Sequence, residues 1–142
     1  MIKLRQANED DFDFLYQLKK ETLKDRISQT WGWDEEWQKS YFTQNFKPEN
    51  VKIITESGKD IGCLAFKEEK LNFNLSLIEI VPEYQNKGIG TTLIKDLILK
   101  ARKKNKKLTL QVLKVNIMAL KLYRRLGFTV EDENKTHYFM IC

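Results

Sequence analysis

Gly88-Ile89-Gly90-Thr91 is the segment best suited to holding a charged ligand, because two glycines one residue apart let the main chain approach without Cβ interference. It closes the run Val81-Pro82-Glu83-Tyr84-Gln85-Asn86-Lys87-Gly88-Ile89-Gly90-Thr91, between a predicted strand and a strongly amphipathic helix. The N–H groups of a first helical turn, reinforced by the helix dipole, make an anion site suited to a pyrophosphate. Lys87 and the Thr91 hydroxyl are placed to add contacts. Two common phosphate loops do not fit. A dinucleotide fold asks for G-x-G-x-x-G, and Leu93 stands where the third glycine belongs. The nucleoside-triphosphate pattern G-x-x-x-x-G-K-[ST] occurs nowhere. A strand–G-x-G–helix corner also serves as a plain structural turn, so the loop alone does not name its ligand.

A second candidate is Glu79, inside Leu77-Ile78-Glu79-Ile80-Val81. A carboxylate in so apolar a strand is costly unless it is partnered or useful, and desolvation would raise its pKa towards the range of a general base. Regular alternation puts Glu79 on one face with Leu71, Phe73, Leu75 and Leu77, whereas a bulge would swap the faces. Cys63, Cys142 and His137 form no cluster with metal-ligand spacing, so no metal site and no disulfide framework is expected. His137 could reach an acceptor site but also reads as an ordinary strand-end residue.

These residues need a frame. A chain of 142 residues has the usual size of one domain, able to bury roughly 70% of the surface its unfolded form exposes. We read residues 1–142 as one domain, because no repeat, low-complexity segment or Pro/Gly-rich linker divides it. With 42% hydrophobic and 32% charged residues, the composition argues against disorder. No run of about 18 apolar residues could span a membrane. The start, Met1-Ile2-Lys3-Leu4-Arg5 followed by Glu9-Asp10-Asp11, lacks the apolar stretch of a signal peptide, so the expected location is the cytoplasm.

Periodicity predicts a strand at 2–6, a helix from the Asn8 cap to about Lys24, and a second helix from Asp34 to about Asn45. Strands follow at 51–55 and 61–66 around a turn at 56–60, and then a long one at 71–81. Ile89, Leu93, Ile94, Leu97, Ile98 and Ala101 mark the strong helix, and 108–113 reads as a buried strand. A helix at 116–126 closes at Gly127 before strands at 129–133 and 136–141. The order βααβββαβαββ is an α+β (mixed α/β) pattern: a mixed, mostly antiparallel sheet of about seven strands with about four helices.

Within this frame Gln85-Asn86-Lys87-Gly88-Ile89-Gly90 resembles the Q/R-x-x-G-x-G/A pyrophosphate motif of the GNAT superfamily of acetyltransferases. Downstream, Asn116-Ile117-Met118-Ala119-Leu120-Lys121-Leu122-Tyr123-Arg124-Arg125-Leu126-Gly127-Phe128 resembles that superfamily's N-x-x-A-x-x-L-Y-x-x-x-G-F segment. The resemblance implies acetyl-CoA as cosubstrate, lying between the strands at 71–81 and 108–113, and a primary amine as acceptor. It implies that amides from Gln85 through Asn86, Lys87, Gly88 and Ile89 to Gly90 hold the pyrophosphate, that backbone near Ile80 and Val81 pairs with the pantetheine arm, and that Asn116 hydrogen-bonds the cofactor. Asn116 reads equally well as a plain helix cap. By resemblance Tyr123 protonates the departing thiolate, a role open to a phenol with a pKa near 10, although it also reads as a core aromatic.

The attacking amine must lose a proton, and Glu79 is the first candidate to take it. The Ile80 N–H is a candidate donor to the developing oxyanion. Direct transfer in a ternary complex is expected, because no cysteine occupies a motif position. All three tryptophans fall in Trp31-Gly32-Trp33-Asp34-Glu35-Glu36-Trp37, where Trp33, Asp34 and Glu35 could receive a cationic amine. The plainer reading is that Trp33 and Trp37, at i and i+4, simply pack the second helix.

The net charge of +5 gathers at 100–107, where six of eight residues are Lys or Arg. The run closes a helix, where cations suit the dipole, and it lacks interleaved aromatics, so the reading weighs against nucleic acid. The alternative function is a non-catalytic acyl-CoA-binding or regulatory module on the same fold. A homodimer is compatible with the sequence.

Overall fold

The computed structural model describes all residues, Met1–Cys142. Its strands are β1 (Ile2–Gln6), β2 (Lys52–Glu56), β3 (Lys59–Glu68), β4 (Asn72–Ile80), β5 (Lys107–Leu113), β6 (Thr129–Glu133) and β7 (His137–Ile141). Its helices are α1 (Phe12–Thr30), α2 (Glu35–Asn45), α3 (Ile89–Lys103) and α4 (Ile117–Arg125). The strands hydrogen-bond in the order β1-β2-β3-β4-β5-β7-β6. β4 pairs with β5 in parallel, while the β1–β2, β2–β3, β5–β7 and β6–β7 pairs are antiparallel. Four helices and a seven-stranded mixed sheet make the expected α+β fold. The contacts gather into two compact units, Met1–Ala65 with Leu77–Gln85, and Phe66–Ser76 with Asn86–Cys142.

In the first unit a capping box closes the short turn Glu9–Asp11 that leads into α1. Asn8 accepts the Asp10 N–H at 2.8 Å while Asp11 accepts the Asn8 N–H at 2.9 Å. Arg5 bonds Asp11 at 2.8 Å and Asp60 at 2.9 Å, and the guanidinium holds the buried Asp11 carboxyl below its usual range. α1 continues past Lys24 to Thr30. Ile27 is the only buried apolar residue in that extra length, too sparse a signal for periodicity to register. The β2–β3 turn is tighter than expected: Ser57 and Gly58 alone make it, with φ of 50° and 83°. Two positive φ values belong to the hairpin turn whose twist matches its strands. Ala7, Leu15, Leu18, Ile53 and Cys63 form an apolar cluster, against which Phe14, Phe42, Phe46, Val51, Leu77 and Val81 pack.

In the second unit α3 buries Leu93, Ile94, Leu97, Ile98 and Ala101, and β5 buries Leu108, Leu110 and Val112. Each fully buried Leu, Ile or Val side chain contributes roughly 1.5–3 kcal/mol, so this face is what holds α3 in place. Gly127, with φ of 100°, ends α4 in the left-handed conformation that a Cβ would oppose. The parallel pairing of β4 with β5 runs from Asn72↔Lys107 to Leu75↔Leu110.

Candidate active site

The segment read as an anion loop opens α3 with left-handed backbone. Gly88 caps α3 with φ of 81°, and Asn86 also has positive φ, at 61°. The first helical bond runs from the Thr92 N–H to the Gly88 carbonyl at 3.0 Å, so the amides of Ile89, Gly90 and Thr91 precede the ladder. A Cβ placed on Gly88 would meet no protein atom within 4 Å, so open space faces the loop. Asn86, Lys87 and Gly88 are exposed, and Ile89, Gly90 and Thr91 half-buried. An exposed turn of N–H groups at the positive end of a 15-residue helix fits a pyrophosphate, and no acidic residue occupies its first turn.

In the same unit Asn116 and Tyr123 stand at the start and on the inner face of α4. The Asn116 side chain accepts the Ala119 N–H at 3.3 Å, so it acts as the helix cap. Tyr123 is 8% exposed and lies edge-on to Phe128, with ring centroids 5.7 Å apart. Burial pushes its phenol above the ordinary value, which keeps it protonated at neutral pH. His137 places Nδ1 2.8 Å from the Thr136 hydroxyl, and burial lowers its pKa.

In the first unit Glu79 is 6% exposed. Oε1 accepts from the Cys63 thiol at 3.6 Å, whereas Oε2 is buried without a hydrogen-bond partner. Burial raises its pKa to about 7, against smaller opposing contributions from Cys63, Thr22 and Lys19. Burial drives Lys19 the other way, below its ordinary value, while the charge of Glu79 partly restores it. The Cys63 thiol is raised so far that it is no nucleophile at neutral pH. Thus a buried carboxylate is poised near neutrality beside a cation. Gly62 is what lets β3 approach it, because a Cβ there would collide with the Glu79 carbonyl oxygen.

The main chain beyond Glu79 is partly committed. The Val81 N–H donates to the Ile61 carbonyl at 2.8 Å, and the Gln85 side-chain amide donates to the Ile80 carbonyl at 2.8 Å.

The tryptophan segment forms the lip of a groove of about 730 Å³, lined by Lys19, Trp33, Asp34, Trp37, Gln38 and Tyr41 among others. Trp37 is 58% exposed and stacks at 5.1 Å on Tyr41, one turn further along α2. The Trp33 indole N–H is buried without a partner. Asp34 caps α2 by accepting the Trp37 N–H at 3.0 Å. Glu35 pairs with Lys20 at 2.5 Å and accepts from the Tyr16 hydroxyl, which burial raises to about 12. Reading the sequence missed Lys19, Thr22, Cys63, Gln38 and Tyr41. The i, i+4 spacing of Trp37 and Tyr41 on α2 was the one signal for Tyr41, whereas Cys63 lies on another strand with no local pattern to mark it.

The basic run is also engaged: Lys104 and Lys106 each bond Glu68 at 2.8 Å, holding its carboxyl at about 2. No helix is long and apolar enough to cross a membrane.

Known proteins supply the context for this geometry. No curated protein matches the chain. Among solved structures, the PaiA N-acetyltransferase of Thermoplasma acidophilum, in complex with coenzyme A, superposes with a TM-score of 0.79 at 22% identity, covering 99% of this chain and 98% of that one. The ribosomal-protein-S18-alanine N-acetyltransferase of Escherichia coli gives 0.68 at 21% identity, with 99% and 92% covered. Naa50 of Arabidopsis thaliana, in complex with the bisubstrate analogue CoA-Ac-MVNAL, gives 0.66 at 17% identity, with 99% and 97% covered. At these identities the likeness is one of fold. The family itself follows from a model of the acetyltransferase (GNAT) family that matches residues 12–128, spanning both the glycine loop and Tyr123: the chain belongs to the GNAT acetyltransferases.

Proposed function

We propose that this protein transfers an acetyl group from acetyl-CoA directly to a primary amine, in a ternary complex, in the cytoplasm. The observation that carries the reading is the left-handed pair Asn86 and Gly88 opening α3, inside the family match, with open space before it. The relatives crystallised with coenzyme A or a CoA-based analogue support acetyl-CoA as the cosubstrate. Acetyl-CoA, when bound, supplies the acetyl group already activated as a thioester.

The protein's own residues would do the rest. Amides of Gly88, Ile89 and Gly90, with Asn86, Lys87, Gln85 and the Thr91 hydroxyl, hold the pyrophosphate. Ile80 and Val81 line the pantetheine path, and the Ile80 N–H stabilises the developing oxyanion. Asn116 fixes the start of α4, and Tyr123 holds its proton on the phenol oxygen until a thiolate departs. Glu79 takes the amine's proton, at a pKa of about 7 that suits a base in neutral solution. Trp33, Asp34 and Glu35 belong to the acceptor side.

Turnover tests this reading through release of the free CoA thiol, measured with a panel of amines and with Tyr123→Phe as control. Thiol release that depends on both the amine and Tyr123 is expected. Release that continues at the same rate without any amine would reject amine transfer.

A further inference from the structure

Two polar groups in the groove at the tryptophan segment are left unsatisfied by the protein. Gln38 is 6% exposed and lines the groove, yet its side-chain amide makes no hydrogen bond. Neither amide atom is sealed from solvent, unlike the Trp33 nitrogen, so the groove reaches them. A largely buried amide without a partner calls for one from a ligand. Lys19 lines the same groove, half-buried, and its ammonium forms no ion pair or hydrogen bond. It stands 5.6 Å from the ring centroids of both Tyr41 and Phe42. These rings follow Gln38 by three and four positions, so the ammonium lies on the Gln38 face of α2. Burial disfavours the charge on Lys19, and Glu79 restores it only in part. Both groups lack the same thing, an anionic oxygen able to accept from an ammonium and an amide N–H together. Asp34 is the one carboxylate in the lining, and it caps α2. The rest of the wall is largely apolar, with Ile27, Trp31, Trp33 and Trp37.

We propose that this groove seats an apolar amino acid, its carboxylate held by the Lys19 ammonium and the Gln38 amide and its side chain against the tryptophans. That its amine is the group acetylated rests on the transferase reading, whereas the seat rests on the two unsatisfied groups alone. The placement suits the chemistry. Lys19 and Glu79 perturb each other's charge, and an α-amine stands one carbon from its carboxylate, so anchoring at Lys19 keeps the amine near the base.

The test compares leucine, leucinamide and 3-methylbutylamine as acceptors for the wild type, Lys19→Met, Lys19→Arg and Gln38→Met. Thermal melts establish that each variant is folded. Leucinamide replaces the carboxylate with a neutral amide, and 3-methylbutylamine lacks the group altogether. The amine of leucinamide is the least basic of the three, so a preference for leucine runs against ease of deprotonation. The wild type should prefer leucine to both by about tenfold or more in kcat/KM. Lys19→Met should cut that preference to about threefold or less, and Lys19→Arg should keep most of it. Gln38→Met should weaken it about threefold, through KM. The ratio of two substrates within one variant cancels any effect of Lys19 on Glu79. Leucinamide as an equal or better substrate, leucine left unreacted while another amine turns over, or an undiminished preference in Lys19→Met would overturn the assignment while leaving the transferase reading standing. If no amine releases thiol, the transferase reading fails, and titration calorimetry with N-acetyl-leucine and N-acetyl-leucinamide decides the seat by itself. Binding of the first alone, weakened about tenfold in Lys19→Met, would sustain the seat. No binding, or equal binding of both, would reject it.

Discussion

Glu79 and Tyr123 are two ionisable groups whose burial pushes both pKa values upward, with opposite consequences for their use. For the phenol, the shift secures the proton an acid must hold. Tyr123→Phe should therefore lower kcat by about 10²–10³. Its acetyl-CoA affinity should stay within about twofold, because the ring keeps its edge-on contact with Phe128. For the carboxylate, the shift brings the base form into play only as pH passes about 7, so kcat/KM should rise through that value to a plateau. The same shift affects stability. An unfolded glutamate loses its proton near 4.5, and the native one near 7. Between those values the folded state binds the extra proton, so stability is fullest at low pH within this window and falls as pH climbs through it. The loss is of order 3 kcal/mol at most. Melting of the wild type should drop from pH 5 to pH 8 relative to Glu79→Gln, which should also lack the kinetic limb at pH 7. Identical melting slopes in the two proteins would mean that Glu79 titrates normally. The sequence marked Glu79 by its apolar neighbours, but its actual partners were out of reach. Cys63 is sixteen residues away on another strand, and only strand pairing brings the two together.

At the scale of elements, glycines decide what can approach what. Gly62 has no room for a methyl group, because the obstacle is the Glu79 main-chain oxygen and not a flexible side chain. Gly62→Ala should destabilise the fold by about 1–3 kcal/mol, read as a lower urea midpoint, and should also impair turnover by shifting Glu79. Gly88 differs, since space is open there and only its φ of 81° resists substitution. Gly88→Ala should cost about 1–2 kcal/mol of local strain and weaken acetyl-CoA binding about tenfold, with a smaller change in melting temperature. Elements with dense apolar periodicity were legible in advance. α3 shows its whole buried stripe in the sequence, and Asn116 and Gly127 bracket α4 as cap and stop. The second half of α1 was not, because between Asp25 and Thr30 only Ile27 is buried, which leaves no apolar periodicity to read. The groove was half legible. The tryptophans stood out by composition, whereas the outward stacking of Trp37 on Tyr41 depends on which α2 face the apolar cluster claims.

For the whole molecule, the +5 charge invites a nucleic-acid reading, yet Lys104 and Lys106 are paired with Glu68 at 2.8 Å. Any affinity for DNA should be weak, disappear by about 200 mM salt, and leave acetyl-CoA binding untouched. The central claim is that the glycine loop and the folded chain around it recognise acetyl-CoA. Isothermal titration of cofactor-stripped protein with acetyl-CoA tests it most directly, with NAD and ATP as controls and Gly88→Ala beside the wild type. The account predicts one-to-one binding in the micromolar range, selective over both controls and weakened in Gly88→Ala. The absence of binding to well-folded protein, or equal affinity for ATP, would contradict it.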